Sequence, residues 1–325
     1  MKAAELFVKC LENEGVEYIF GIPGEENIDV MDALLTSKIK FVTVRHEQGA
    51  AFMADVYGRL TGRPGVCLAT LGPGATNLVT GFADANMDYA PIVAIAGQGS
   101  TERLHKESHQ IIDLVNLFKP ISKYSTEILS PNVIPEVISK AFKVAVSNNP
   151  GGAFISFPEN IASSQVAQTK QPLEVPLPIV PEPSAEQVQS AISTISDAKF
   201  PMILVGNGVV RSKADQQLIQ FAERLNIPVV TTFMAKGSIP SSHELSLGTV
   251  GLQADDYIAC GFERADVIIC VGFDMIEYHP KLWHKSKNKR LIHIAQTHAE
   301  VDEHYIAQCN VVGNIKHSLA LISQQ

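Results

Sequence analysis

The sequence has few cysteines, no long apolar run and no excess of positive charge, and each shortage excludes a class of protein. Its five cysteines are scattered with no Cys-x-x-Cys pair, which argues against a disulfide scaffold or zinc cluster and fits a cytoplasmic protein. No run of ~18 apolar residues could span a bilayer, and the first residues lack a signal-peptide core. A net charge of -8 and a pI near 5.7 favour neither nucleic acid nor an anionic membrane as partner.

The composition is that of a globular protein. Hydrophobic residues make up 46% and charged residues 18% of the 325 positions, enough for two domains with cores of their own. A proline-rich stretch at 163–183 with few periodic apolar positions predicts a linker. We therefore expect a first domain at 1–162, the linker at 163–183 and a second domain at 184–325.

Strand and helix patterns alternate in both domains. Alternating elements of this kind predict an α/β fold with two doubly wound parallel sheets, the second Rossmann-like. The strands are apolar runs, as burial on both faces requires. Predicted strands lie at 18–20, 41–44, 66–70, 92–96, 121–124 and 153–157 in the first domain, and at 202–205, 228–230, 267–271 and 291–294 in the second. A short helix is expected at 255–260.

Unusual loops follow four strands of the first domain. They are Gly21-Ile22-Pro23-Gly24, the segment around Glu47, Gly72-Pro73-Gly74-Ala75-Thr76-Asn77 and Gly97-Gln98-Gly99. Ligands of parallel sheets bind at the carboxyl ends of the strands, and glycine permits close approach. Each loop alone could be an ordinary turn, and Glu47 could simply favour a helix N-terminus. Together the loops predict a ligand pocket with Glu47 as a catalytic group; the lysine of a P-loop and a Gly-x-Gly-x-x-Gly fingerprint are absent.

These loops also resemble a known family. With Arg45-His46-Glu47-Gln48-Gly49-Ala50-Ala51, they look like the pyrimidine-binding domain of thiamine-diphosphate-dependent enzymes of the acetolactate (acetohydroxyacid) synthase type. The resemblance covers the whole chain. Residues 102–110, 117–124 and 271–278 resemble the catabolic acetolactate synthases, which use thiamine diphosphate without needing flavin.

The resemblance implies roles for individual residues. Glu47 would hydrogen-bond N1′ of the aminopyrimidine and favour the imino tautomer that removes the thiazolium C2 proton. Pocket residues would be Pro23, Gly24, Thr70, Pro73 and Asn77, although Thr70 and Asn77 could instead be helix caps. Gln98 and Gln110 would line the reacting centre. Candidates to attract a pyruvate carboxylate are Lys106, His109 and Lys123; the two lysines could equally be plain solvated side chains.

The implied reaction condenses two pyruvates to 2-acetolactate with loss of CO₂, in a homodimer or tetramer formed through the pyrimidine-binding domain. Two alternatives remain open from the sequence. One is another thiamine-dependent 2-keto acid decarboxylase or carboligase. The other is a noncatalytic oligomerising module.

The sequence departs from the family pattern in two respects. Asn149-Pro150-Gly151-Gly152 replaces an Arg-Pro-Gly-Pro run associated with flavin, and Gly206-Asn207-Gly208 lacks the third glycine of a dinucleotide loop, so neither FAD nor NAD is expected. The Gly-Asp-Gly signature of the family's third domain, which holds Mg²⁺ and the diphosphate, does not occur. We therefore expect no metal ligands in this chain, a missing C-terminal domain, and a chain that alone is inactive and binds thiamine diphosphate weakly.

Overall fold

The computed structural model of the chain describes residues 1–147, 149–175, 180–251 and 257–324. The chain forms two compact units, Met1–Pro178 and Ile179–Gln325, and each is described by itself. No helix among the described residues is long and apolar enough to cross a membrane.

A six-stranded parallel sheet forms the centre of the first unit, in the order β2-β1-β3-β4-β6-β5. Its strands are β1 (Tyr18–Gly21), β2 (Lys40–Thr43), β3 (Gly65–Ala69), β4 (Ile92–Gln98), β5 (Tyr124–Glu127) and β6 (Gly152–Pro158). Its α-helices are α1 (Ala3–Asn13), α2 (Ile28–Leu34), α3 (Glu47–Thr61), α4 (Pro73–Asn77), α5 (Val79–Met87), α6 (Leu114–Phe118), α7 (Ile134–Val146) and α8 (Glu159–Ala162). Short 3-10 helices lie at Glu25–Asn27, Lys119–Ile121 and Pro131–Val133.

Helices cover both faces of this sheet because neighbouring strand residues point to opposite sides. In β3, Val66 and Leu68 belong to a core with the apolar face of α1, whereas Cys67 and Ala69 belong to a second core. Helix α3 supplies alanines to that second core, including Ala50 and Ala54, so it can lie close to the sheet.

The second unit repeats this architecture with a parallel sheet in the order β12-β11-β10-β7-β8-β9. Its strands are β7 (Pro201–Val205), β8 (Val229–Thr231), β9 (Ser246–Thr249), β10 (Val267–Val271), β11 (Arg290–Ala295) and β12 (Cys309–Val312). Its α-helices are α9 (Ala185–Ser196), α10 (Asn207–Arg211), α11 (Asp215–Leu225), α12 (Tyr257–Arg264) and α13 (Ile315–Ser323), with a 3-10 helix at Pro280–Leu282. The predicted α/β fold with two doubly wound parallel sheets is confirmed.

Local boundaries differ from the prediction at the sheet edges. The expected strand at 121–124 is wrong, because Lys119–Ile121 is a 3-10 helix around Pro120 and the strand runs from Tyr124 to Glu127. Strand β5 is half-buried throughout and mostly polar, so it has no apolar run to reveal it. Of the helix expected at 255–260, residues 255 and 256 lie outside the described residues, and the described helix begins at Tyr257.

Candidate active site

The four loops singled out in the sequence meet at one edge of the first sheet. Strands β2, β1, β3 and β4 are consecutive neighbours, and all run parallel. Their carboxyl ends therefore lie side by side, and so do the loops that follow them.

Glu47 is the first residue of α3, directly after the loop that follows β2. His46 caps the helix, since its Nδ1 accepts a hydrogen bond from the Gln48 backbone N–H at 3.2 Å. The Glu47 carboxylate is therefore not needed as the cap. Glu47 is only 8% exposed, and its Oε2 accepts a hydrogen bond from Asn77 Nδ2 at 2.9 Å. Within the described part of the chain, Oε1 of Glu47 has no hydrogen-bond partner.

Two glycines allow the neighbouring loops to close around this carboxylate. A Cβ on Gly74 would lie 2.9 Å from Thr70 Cγ2 and 3.4 Å from Glu47 Oε1. A Cβ on Gly24 would lie 2.5 Å from Thr70 Cβ. The loop after β1 thus packs directly on Thr70, the first residue after β3, and a side chain at Gly24 or Gly74 would collide with it.

Pro23 and Pro73 are both exposed beside these glycines. Pro73 is the first residue of α4, where the missing backbone N–H removes no helical hydrogen bond. The two prolines therefore stiffen the loops without disturbing the helix that carries Asn77.

Glu26 belongs to the same cluster, although it is not among the site residues predicted from the sequence. The Thr70 hydroxyl donates a hydrogen bond to Glu26 Oε2 at 2.7 Å, so Thr70 joins two loops rather than capping a helix. The signal was available, because Glu26 is an acid two residues after Gly24 in a loop that follows a strand. The candidate site therefore has two carboxylates.

The Gln98 side chain hydrogen-bonds both the first residue and the end of the β4–α6 loop (residues 99–113). Its Nε2 donates to the Ile112 carbonyl at 3.1 Å, and its Oε1 accepts from the Gly99 N–H at 3.0 Å. The residue is 1% exposed. The amide predicted to line the reacting centre is thus occupied by the loop's own backbone.

Arg103 organises the middle of the β4–α6 loop. Its guanidinium donates to Ser108 Oγ at 3.0 Å, to Glu159 Oε1 at 3.3 Å and to the His109 carbonyl at 3.4 Å. Glu159 Oε1 also accepts the Ser100 backbone N–H at 2.9 Å. The start of α8 therefore anchors the loop that carries His109.

Gln110 reaches the glycine loop through its backbone. Its φ is +57°, and a Cβ on Gly72, itself at φ +54°, would lie 2.7 Å from the Gln110 carbonyl oxygen. Glycine is required at position 72 for both reasons. The side chains of Lys106, His109 and Gln110 are exposed in this loop, and the Gln110 backbone lies against Gly72 in the loop after β3.

Lys123 lies elsewhere. Lys123 directly precedes β5, so it lies at the amino ends of the strands, and its backbone N–H donates to the Gly152 carbonyl at 2.8 Å. Its ammonium donates to the carbonyls of Ser147 and Asn149, the latter at 2.7 Å. Burial lowers the pKa of Lys123 to about 8. The structure does not bring Lys123 to the loops around Glu47.

No group of three or more His, Cys, Asp or Glu side chains is arranged to hold a metal ion in the described ranges. The candidate site is a cluster of loops in which the Glu47 carboxylate is bonded by one amide, Asn77, and lies beside Gly74. Such a site can accept or share a proton at a hydrogen-bonding ligand held against Glu47.

The chain matches two domains of one family. Residues 1–117 match the family described as thiamine pyrophosphate enzyme, N-terminal TPP binding domain, and residues 188–322 match the thiamine pyrophosphate enzyme central domain. The chain is 37% identical over 319 residues to a protein named acetolactate synthase from Bacillus subtilis, covering 98% of this chain and 56% of that protein.

Two further relatives carry similar names. A probable acetolactate synthase large subunit from Methanocaldococcus jannaschii is 37% identical, covering 98% of this chain and 55% of the relative. An acetolactate synthase large subunit from Corynebacterium glutamicum is 40% identical over 276 residues, covering 84% of this chain and 44% of the relative. The chain thus spans about half the length of these relatives.

Proposed function

Because the chain belongs to the thiamine pyrophosphate enzymes, we propose that it is the pyrimidine-binding and central part of an acetolactate synthase. The proposed reaction joins two pyruvates, consumes one proton and yields 2-acetolactate and CO₂. The observation that carries the proposal is the Glu47 carboxylate, buried at a strand-to-helix junction with one oxygen bonded by Asn77 and the other without a partner in the described chain.

The residues of the site fit an aminopyrimidine. Oε1 of Glu47 can bond a ring nitrogen, and a Cβ at position 74 would contact Glu47 Oε1 and narrow the space beside it. We propose that Gly24, Thr70, Gly74 and Asn77 form the pocket around that ring. Pro23 and Pro73 hold its loops.

When bound, thiamine diphosphate supplies an acidic carbon that can add to the carbonyl of a 2-keto acid. In this proposal Glu47 holds a proton at N1′ of the pyrimidine, and Asn77 fixes the direction of the carboxylate. His109 and Gln110 orient pyruvate from the β4–α6 loop, and Lys106 attracts its carboxylate. We assign Mg²⁺ and the diphosphate to none of the side chains of this chain.

An exposed apolar face of α3 supports assembly through the first unit. Phe52, Met53, Val56 and Leu60 are 37% to 80% exposed along this helix. A contiguous apolar patch of this kind marks an interaction surface. We propose that it pairs with a second copy of the chain, in a homodimer or tetramer.

The test uses a chimera in which this chain is followed by the remaining C-terminal part of the Bacillus subtilis relative. Pyruvate consumption and 2-acetolactate formation are measured with and without thiamine diphosphate and Mg²⁺. We expect acetolactate formation that requires thiamine diphosphate. Glu47→Gln should lower kcat by about 100-fold or more, as expected for loss of an acid–base group. Isothermal titration of thiamine diphosphate into both chimeras gives a readout that is independent of turnover.

The matched control is Glu136→Gln, at an exposed position on α7, which should leave activity unchanged. If acetaldehyde is the main product, the protein is a decarboxylase and the proposed acetolactate synthase activity is wrong. A Glu47→Gln chimera with nearly full activity would show that the Glu47 carboxylate is not needed for catalysis. A chimera that binds thiamine diphosphate, yet acts on no 2-keto acid, would favour a noncatalytic module.

A further inference from the structure

The sheet of the second unit has a topological switch point, the usual ligand position of an open α/β sheet. Strand β7 comes first in the chain and lies between β8 on one side and β10 on the other, so the strand order reverses there. Such a switch point is where doubly wound sheets bind nucleotides, outside the carboxyl ends of the strands. Gly206-Asn207-Gly208 follows β7 at this point.

A carboxylate of the protein itself occupies this position. Glu277 accepts the Asn207 backbone N–H at 2.9 and 3.1 Å on its two oxygens. Its Oε1 also accepts the Asp274 N–H at 3.2 Å, and its Oε2 accepts the Thr232 hydroxyl. Donors that follow β7, β8 and β10 thus converge on one side chain.

The glycines of this loop are explained by contacts within the protein. A Cβ on Gly206 would lie 2.5 Å from the Gly272 carbonyl oxygen and 2.7 Å from Glu277 Oε1. A Cβ on Gly208 would lie 2.7 Å from Gly272 Cα. The turns after β7 and β10 therefore pack directly on each other, and Glu277 fills the remaining space.

We propose that Glu277 takes the place of a nucleotide phosphate and thereby excludes FAD, NAD and free ADP from the second unit. The backbone donors that a phosphate would use are already bonded to the carboxylate. Above about pH 7, where the Glu277 carboxyl is ionised, a phosphate brought close would also face a partly buried like charge, which is unfavourable. The Arg211 guanidinium bonds the neighbouring carboxylate, Asp274 Oδ2, at 2.9 Å. The proposal does not depend on the keto acid or reaction proposed above.

The experiment measures binding of ADP and of FAD to the full chain by equilibrium dialysis. The wild-type chain should show no saturable binding up to about 1 mM ligand. Glu277→Ala, which removes both the charge and the bulk, should bind ADP about tenfold or more tightly than wild type. Glu277→Gln, which keeps the bulk, should gain less.

The matched control is Glu300→Gln, an exposed carboxylate of the same unit, which should behave as wild type. Saturable binding of either ligand to the wild-type chain would overturn the proposal. So would a folded Glu277→Ala chain with no gain in affinity. Should that variant fail to fold, amide hydrogen exchange of wild-type residues 203–212 decides: unchanged exchange with 1 mM ADP supports exclusion, and protection refutes it.

Discussion

Replacing Glu277 by glutamine should change how the stability of the second unit depends on pH. Burial raises the pKa of Glu277 from 4.5 to about 7, and hydrogen bonds from Thr232 and Asn207 only partly oppose this. The folded unit therefore holds this proton more tightly than the unfolded chain does. Glutamine keeps the shape of the side chain but cannot ionise.

The sign follows from linkage. Below about pH 4.5 the carboxyl is protonated in both states, and it contributes its full stability. Between about pH 4.5 and 7 the unfolded chain loses the proton first, so the free energy of unfolding falls as pH rises. The difference between the two pKa values corresponds to about 3 kcal/mol, reached above about pH 7.

The assay can isolate the second unit because the chain has a single tryptophan. Trp283 is 5% exposed, and it packs against Phe262 and Phe273 at ring-centroid distances of 5.4 and 5.9 Å. Its fluorescence in urea titrations reports unfolding of this unit. Between about pH 5 and pH 8, the stability of Glu277→Gln relative to wild type should rise by up to about 3 kcal/mol.

Glu300→Gln again serves as the control, and its urea curves should shift with pH in parallel with wild type. Two results would refute the argument. One is a difference in the free energy of unfolding between Glu277→Gln and wild type that varies by less than about 0.5 kcal/mol across this pH range. The other is a wild-type unit that gains stability over the variant as pH rises, which would mean that the hydrogen bonds outweigh burial.

Arg59→Ala should destabilise the first unit by about 3 kcal/mol, because it leaves the 3% exposed Asp55 without the guanidinium that bonds it at 2.8 Å. Thermal unfolding followed by circular dichroism measures the loss of stability. The control Arg63→Ala removes an exposed ion pair with Glu17 and should cost less than about 1 kcal/mol. Equal losses of stability in the two variants would contradict the reasoning. Arg103→Ala should speed amide hydrogen exchange throughout the β4–α6 loop, while unchanged exchange would show that the guanidinium does not order the loop.

Much of the first unit could be predicted from its sequence, because its buried strands are apolar runs and unusual loops follow their carboxyl ends. Buried apolar runs located β3 and β4, and the rule that parallel strands end at one edge brought Glu47 and Asn77 together before any contact was known. Of the edge strands, β5 was predicted at the wrong position and β9 and β12 were not predicted, because each is partly exposed. Their residues do not form the apolar runs that buried strands require.

The supporting contacts of the site could not be predicted in the same way. Arg103 and Glu159 are separated by 56 positions, and nothing in either neighbourhood marks the other as a partner. Gln98 was correctly placed at a strand end, yet its amide bonds the loop backbone. A sequence pattern can place a polar residue at an edge, but the direction of its hydrogen bonds depends on the packed loop.

The carboxylates at the two sheet edges, Glu47 and Glu277, differ in their hydrogen bonding. Both sit beside glycines that permit close approach, and the sequence marks both places in the same manner. Glu277 has both oxygens bonded by donors of its own unit, so no hydrogen-bonding capacity is directed at a ligand. Glu47 is bonded on Oε2 alone among the described residues. The Oε1 atom of Glu47 therefore keeps hydrogen-bonding capacity that a ligand or solvent can use. The first edge therefore keeps a carboxylate oxygen available to an external partner, as the proposed function requires, whereas the carboxylate of the second edge is bonded by the protein itself.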